Sequence, residues 1–212
     1  LRKRLQASMP LGRGLALEHE ALLTMLRRCE IMDLRRTLNQ AVLRLGLARF
    51  VTELLAPLTV HVGEAWMRGD IQVFEEHMYT ESVVRGALGG ASALPQPGMP
   101  RVLLATLPHE SHLLGLLMAE TMLSLEGCEC VSLGAHTPVS EIVRAAQANR
   151  AEIVGLSFSP ASHAPQLLQS LQDLRAQLPA GVQLWAGGSH PALRKKLPPG
   201  VQAVDRLDRV PE

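Results

Sequence analysis

Apolar positions recur with helical spacing through the first ninety or so residues of the chain and then give way to short strands alternating with helices. From Leu17, the residues Leu22, Leu23, Leu26 and Cys29 share one face up to about Ile31. Asp33 stands where an N-cap would open a second helix carrying Leu34, Leu38, Ala41, Val42 and Leu45, with Gly46 near its end. A longer third run passes from Ala48 through Phe50, Val51, Leu54, Leu55, Leu58, Val62 and Trp66 to Gly69. Pro57 lies inside it, lacks a backbone donor, and is expected to kink or split that helix. Asp70 is placed to cap a fourth run with Val73, His77, Val84 and Leu88, which fades at Gly89-Gly90. Four helices with short connections predict a four-helix bundle over residues 17–91, preceded by a linker at 1–16 whose Pro10, Gly12 and Gly14 break any period.

Residues 92–100 are poor in charge and rich in Pro and Gly, which marks a second linker and a domain boundary. Beyond it, strand patterns at 101–106, 128–133, 152–157 and 182–186 alternate with helical patterns near 112–126, 138–149 and 165–178, and a last short strand is expected at 201–205. Near-continuous apolar strands such as Ile153-Val154-Gly155-Leu156 belong in a parallel sheet buried on both faces. The expected fold is therefore a helical bundle followed, over 101–212, by a doubly wound, Rossmann-like and flavodoxin-like α/β domain.

Composition narrows the function classes. A net charge of +1 argues against a nucleic-acid or anionic-membrane surface on this chain. Three cysteines, Cys29, Cys128 and Cys130, form no disulfide framework, so a reduced, cytoplasmic setting is expected. No apolar run reaches the length of a membrane span and no signal sequence is visible, so a soluble protein is expected. The chain starts without Met at a basic Arg2-Lys3-Arg4 cluster and reads as part of something longer.

In an open α/β sheet, ligands bind at the carboxyl ends of the strands where the strand order reverses. Four loops fall at such ends: Pro108 to Gly115, Gly134 to Pro138, Ser157 to Pro160, and Gly187 to His190. In the first, Glu110-Ser111-His112-Leu113-Leu114-Gly115 puts an imidazole before a helix N-terminus, where the dipole disfavours its charged form and keeps it fit to bind a metal. Glu110 could accept the other ring N–H and fix the tautomer, while Gly115 removes a side chain where something bulky must pass. Ser157 and Ser159 offer hydroxyls to a polar ligand, and Gly187 and Gly188 provide clearance on the far side. Each feature alone is commonly a solvated loop or an ordinary turn. A zinc site at His109 and His112 lacks a third ligand, and no dinucleotide fingerprint follows the first strand.

Taken together, Glu110-x-His112-x-x-Gly115, Ser157 after the third strand and Gly187-Gly188 after the fourth resemble the signature of cobalamin-binding domains that take the cofactor with its dimethylbenzimidazole displaced. The resemblance implies that His112 is the lower cobalt ligand, that Glu110 supports it, and that Gly115, Ser157, Gly187 and Gly188 serve the detached nucleotide tail, while Ser157-Phe158-Ser159 departs from the family pattern at residue 159. In the helical half, Trp66 is followed after nine residues by Glu76-His77, which is similar to the motif of cobalamin-dependent photoreceptor regulators of the CarH and LitR type, in the MerR family. That likeness implies a bundle capping adenosylcobalamin, with Trp66, Val73, Glu76 and His77 about the upper face. It also implies a homo-oligomer, dimeric or tetrameric, that changes when light breaks the cobalt–carbon bond, and DNA binding by a helix-turn-helix upstream of Leu1. Such a protein is a sensor rather than an enzyme. Members carry a His directly after the motif Trp as the light-state upper ligand, and here that position is Met67. Two alternatives share the pattern: a corrinoid carrier of a methyltransferase, and a sensor pairing cobalamin with a second tetrapyrrole.

Overall fold

The computed structural model describes residues 11–83, 86, 88, 99–195 and 197–207, with side chains from residue 17 onward. The chain divides into two compact units, Leu1–Gly89 and Gly90–Glu212. The expected linker residues 1–10 and 92–98 and the expected helical position Val84 lie outside the described residues.

The first unit is helical: α1 (Leu11–Arg27), α2 (Ile31–Leu45), α3 (Leu47–Arg49), a π-helical segment (Phe50–Leu55), α4 (Ala56–Met67) and α5 (Val73–Ser82). Its core is made by Leu22, Leu26, Leu34, Leu38, Phe50, Leu54, Leu55, Leu58 and Tyr79, all essentially inaccessible. Burying a side chain of that size contributes about 2 kcal/mol, so this stripe outweighs the modest helix propensities. Three local expectations need correction. Helix α1 already starts at Leu11, inside the stretch read as linker, because Gly12 and Gly14 each cost only about 1 kcal/mol in a helix that packing sustains. Asp33 does not cap α2; it lies in the first turn and pairs with Arg36. Asp70 likewise pairs with Arg68, and Gln72 is the N-cap of α5, its backbone N–H donating to Glu75 Oε2 at 2.6 Å. In both cases a nearby arginine competes for the carboxylate. The break at Pro57 takes the form of the π-helical segment, with the proline in the first turn of α4. The buried His19 docks against this segment, its Nε2 3.1 Å from the Leu54 carbonyl oxygen.

The second unit has strands β1 (Arg101–Ala105), β2 (Glu129–Ser132), β3 (Ile153–Phe158), β4 (Gln183–Gly188) and β5 (Val201–Val204), all parallel, in the order β2-β1-β3-β4-β5. Helices α6 (Leu114–Leu125), α7 (Val139–Ala148) and α8 (Ala164–Gln177) alternate with them. Ile142 and Ala146 of α7 and Leu167, Leu171 and Leu174 of α8 pack with Leu103, Val154, Leu156 and Leu184 on one face. Leu116 and Leu123 of α6 pack with Val102, Leu104, Cys128, Ile153 and Trp185 on the other. This is the doubly wound arrangement expected from the alternation. The strand order reverses between β1 and β3, which makes the loops after those two strands the place for a ligand. Among the described residues, no helix is long and apolar enough to cross a membrane.

Candidate functional site

Thr106, fully buried just past β1, fixes the floor of the site. Its backbone N–H donates to the Gly134 carbonyl at 3.0 Å and its own carbonyl accepts from Thr137 N at 2.9 Å, pinning the loop after β2. Its hydroxyl donates to the Glu110 carbonyl at 2.6 Å and accepts from His136 N at 3.2 Å. The main chain at Glu110 is thereby held where its side chain turns inward.

That side chain is only 4% exposed, and every contact it makes is with a donor. Oε1 accepts from the backbone N–H of His112 at 2.9 Å and lies 2.7 Å from His112 Nδ1. Oε2 accepts from Ser159 N and Ser159 Oγ, each at 2.8 Å, and from Ser162 Oγ at 2.5 Å. Burial alone would push this carboxyl up. The hydrogen bonds from His112, Ser162 and Ser159 outweigh it and hold the group down at about 2. An ionised carboxylate facing Nδ1 accepts a hydrogen bond from Nδ1–H, so the lone pair of the neutral ring resides on Nε2. The imidazole is partly open, at 39% exposure, immediately before α6.

The remaining sheet residues named from the sequence gather near this point. Gly115, in the first turn of α6, is the close-approach position: a Cβ there would overlap Ser157 Oγ. Gly188 has φ +112 and a Cβ there would overlap the Phe158 carbonyl, so only glycine fits the β3–β4 pairing at that register. A Cβ on Gly187 would lie 3.2 Å from the Val204 carbonyl oxygen. Ser157 is buried, whereas Ser159 spends both its backbone N–H and its hydroxyl on Glu110. The sequence reading gave no role to Thr106, Ser162 or His190. For Ser162 the available signal was a third serine in the Ser157-Ser159 loop, whereas nothing local distinguishes Thr106 or His190.

In the helical unit, Trp66, Met67, Val73 and Phe74 are exposed large side chains at the end of α4 and the start of α5. Glu76 accepts a hydrogen bond from Thr80 Oγ1 at 2.9 Å, and its Oε2 is 3.7 Å from His77 Nε2. Trp185, the other tryptophan, is core, with its Nε1 donating to Gln183 Oε1 at 2.9 Å.

Among the described residues, no three His, Cys, Asp or Glu side chains gather as they would around a metal ion. A metal at His112 would therefore have to arrive with its other ligands already in place, and a neutral imidazole nitrogen is a fitting donor for a macrocycle-bound cobalt.

Comparison with known proteins agrees with that chemistry. Residues 100–205 match a B12 binding domain model, and residues 18–87 match a second model described in the same words. The chain is 35% identical over 149 residues to the HTH-type transcriptional repressor CarH of Myxococcus xanthus, a match covering 68% of this chain and 50% of that protein. The chain thus spans about half the length of the curated relative it matches. Its fold is similar to that of the Methanosarcina barkeri monomethylamine corrinoid protein, with a TM-score of 0.68 and 16% identity over 88% of this chain and 92% of that one. The chain belongs to the B12 binding domain family.

Proposed function

We propose that this chain is the light-sensing module of a transcriptional regulator, taking adenosylcobalamin with its dimethylbenzimidazole displaced and His112 as the lower cobalt ligand. The observation that carries the reading is the Glu110–His112 pair. A carboxylate that accepts from His112, Ser159 and Ser162 engages Nδ1 at 2.7 Å, which makes Nε2 the ring's donor atom. When bound, the corrinoid supplies a cobalt–carbon bond that light can break. The chain's own residues do the rest: His112 holds the metal, Glu110 fixes the ring with Ser159 held on its other oxygen, and Gly115, Ser157, Gly187 and Gly188 serve the displaced tail. Trp66, Val73, Glu76 and His77 serve the upper face, with the Trp66 ring offering apolar cover and the Glu76 carboxylate accepting from ribose hydroxyls. Loss of the adenosyl group then alters how copies of the chain associate. Met67, 57% exposed, has no imidazole, so a light state ligated by the residue directly after Trp66 is not open to this chain.

In the test, apoprotein is titrated with adenosylcobalamin in the dark and then illuminated while the visible spectrum and the mass by light scattering are followed. The expected results are a base-off, His-ligated spectrum on binding, its loss in His112→Ala, and a mass change in light. No spectral change on binding overturns the cofactor assignment, and binding without a light-dependent mass change overturns the photoreceptor assignment.

A corrinoid carrier for a methyltransferase is the second reading, supported by the fold shared with the monomethylamine corrinoid protein. It predicts methyl transfer from methylcobalamin with a partner enzyme. The spacing from Trp66 to Glu76-His77 and the identity to a repressor favour the regulator.

A further inference from the structure

His190 is 5% exposed, and both of its ring nitrogens are engaged. Nδ1 accepts from the Ala192 backbone N–H at 3.0 Å, which leaves the ring proton on Nε2, 2.9 Å from the Ser162 carbonyl oxygen. A carbonyl only accepts, so Nε2–H donates. The direction of this bond matters because of what lies on either side of it. Ser162 Oγ and the two donors of Ser159 hold Glu110 Oε2, and Ser162 N–H donates to the Ser159 carbonyl at 3.3 Å, so the loop after β3 is one piece built around the carboxylate. On the other side, His190 lies two residues beyond Gly188, in the loop after β4. That loop also meets the end of β3, where Ser189 N–H donates to the Phe158 carbonyl at 3.1 Å. A continuous path therefore runs from Gly187-Gly188 through His190 to Ser162, Glu110 and His112.

We infer that His190 is a positioning residue that couples the Gly187-Gly188 loop to the orientation of His112, so that contact of a nucleotide tail with the loop after β4 favours ligation of cobalt by the imidazole after β1. This inference rests on the assignment of His112 as cobalt ligand and of Gly187 and Gly188 to the tail. Unlike a residue that only stabilises the fold, His190 should change which ligand the cobalt holds in protein that is folded and loaded.

The experiment uses the full chain and two probes, cobalamin and the tail-less corrinoid cobinamide, each bound and reduced to the cobalt(II) state for electron paramagnetic resonance. In protein labelled with nitrogen-15 histidine, the two-line splitting from a bound ring nitrogen counts the histidine-ligated fraction and is distinct from the three-line splitting of a dimethylbenzimidazole nitrogen. Wild-type protein with cobalamin should show this splitting and His112→Ala should not. Its absence from the wild type would sink the ligand assignment itself, separately from the coupling. His190→Met should lower the ligated fraction about fivefold or more. His190→Gln, of the same length but able to donate to the Ser162 carbonyl, should restore most of it. Full ligation in folded His190→Met, or equal loss in both variants, overturns the proposal. Unfolding midpoints of the apoproteins establish that the variants are folded. Should His190→Met fail to fold, wild-type protein still decides: the ligated fraction should fall at least threefold with cobinamide, and an unchanged fraction overturns the coupling.

Discussion

Among the described residues, the Glu–His contacts at Glu110–His112 and Glu76–His77 are built in opposite ways. Glu110 and His112 sit after a buried parallel strand, where the carboxylate is 4% exposed and 2.7 Å from the ring. Glu76 and His77 lie on α5, where the carboxylate is 20% exposed, the ring is 72% exposed, and the two are 3.7 Å apart. The first pair is organised by the protein before any ligand arrives, since Ser159, Ser162 and His112 supply its donors. In the second, the Glu76 carboxylate accepts from the Thr80 hydroxyl one turn along the same helix. Preorganisation costs folding free energy but leaves less to be ordered on binding, which suits a metal ligand. An exposed pair contributes little to stability and remains able to answer to what it meets.

The contrast predicts unequal consequences. The largest should come from Glu110→Ala, which leaves the half-buried donors of Ser159, Ser162 and His112 without this acceptor. A loss of about 3 kcal/mol or more is expected in denaturant unfolding, together with loss of His-ligated cobalamin. A cost below about 1 kcal/mol would show that the network is not rigid. Acid should act on the same group. Its folded-state value is depressed to about 2, so its contribution is fully present above the unfolded value near 4.5 and is lost as pH falls through the folded one. At about 1.4 kcal/mol per unit, roughly 3 kcal/mol should disappear between about pH 4.5 and 2, and Glu110→Gln should remove that slope from a pH series of unfolding curves. Gly115→Ala should cost about 2 kcal/mol through overlap with the Ser157 hydroxyl. Adding Ser157→Ala should recover most of it, and no recovery would mean that the Cβ meets something else. Smallest for the apoprotein should be Glu76→Gln, within about 0.5 kcal/mol of wild type by thermal unfolding, while adenosylcobalamin affinity measured by titration falls several-fold.

Strands β1, β3 and β4 were legible in the sequence because each carries a short apolar run, β2 and β5 because of their place in the alternation with helices, and the observed β1 to β5 fall within one or two residues of the expected bounds. His112, Glu110 and Gly115 were legible because their spacing survives as one local loop. What escaped depends on residues distant in sequence. Ser159 was read as a ligand-facing hydroxyl, whereas its hydroxyl donates to Glu110 across a separation of 49 residues. His190 could not be picked out, since its importance lies in the carbonyl it meets, 28 positions away. Asp33 and Asp70 misled for a nearer reason: Arg36 and Arg68 were closer partners than the helix ends.

The π-helical segment at Phe50–Leu55 has a consequence for the exposed cluster at the end of α4. An α-helix turns about 100° per residue, so a wider turn carrying one additional residue sets the angular phase of everything that follows it. Trp66 and Met67 lie less than four turns downstream, on a helix whose buried face is fixed by Leu58, Val62 and Ala65. Deleting one residue from the segment would force a choice between keeping that buried face and keeping the frame set by α1 and α2. Either Trp66 would swing out of its present sector or the core would be repacked. The length of this turn therefore works as an indexing mark, fixing which side of the helix displays tryptophan.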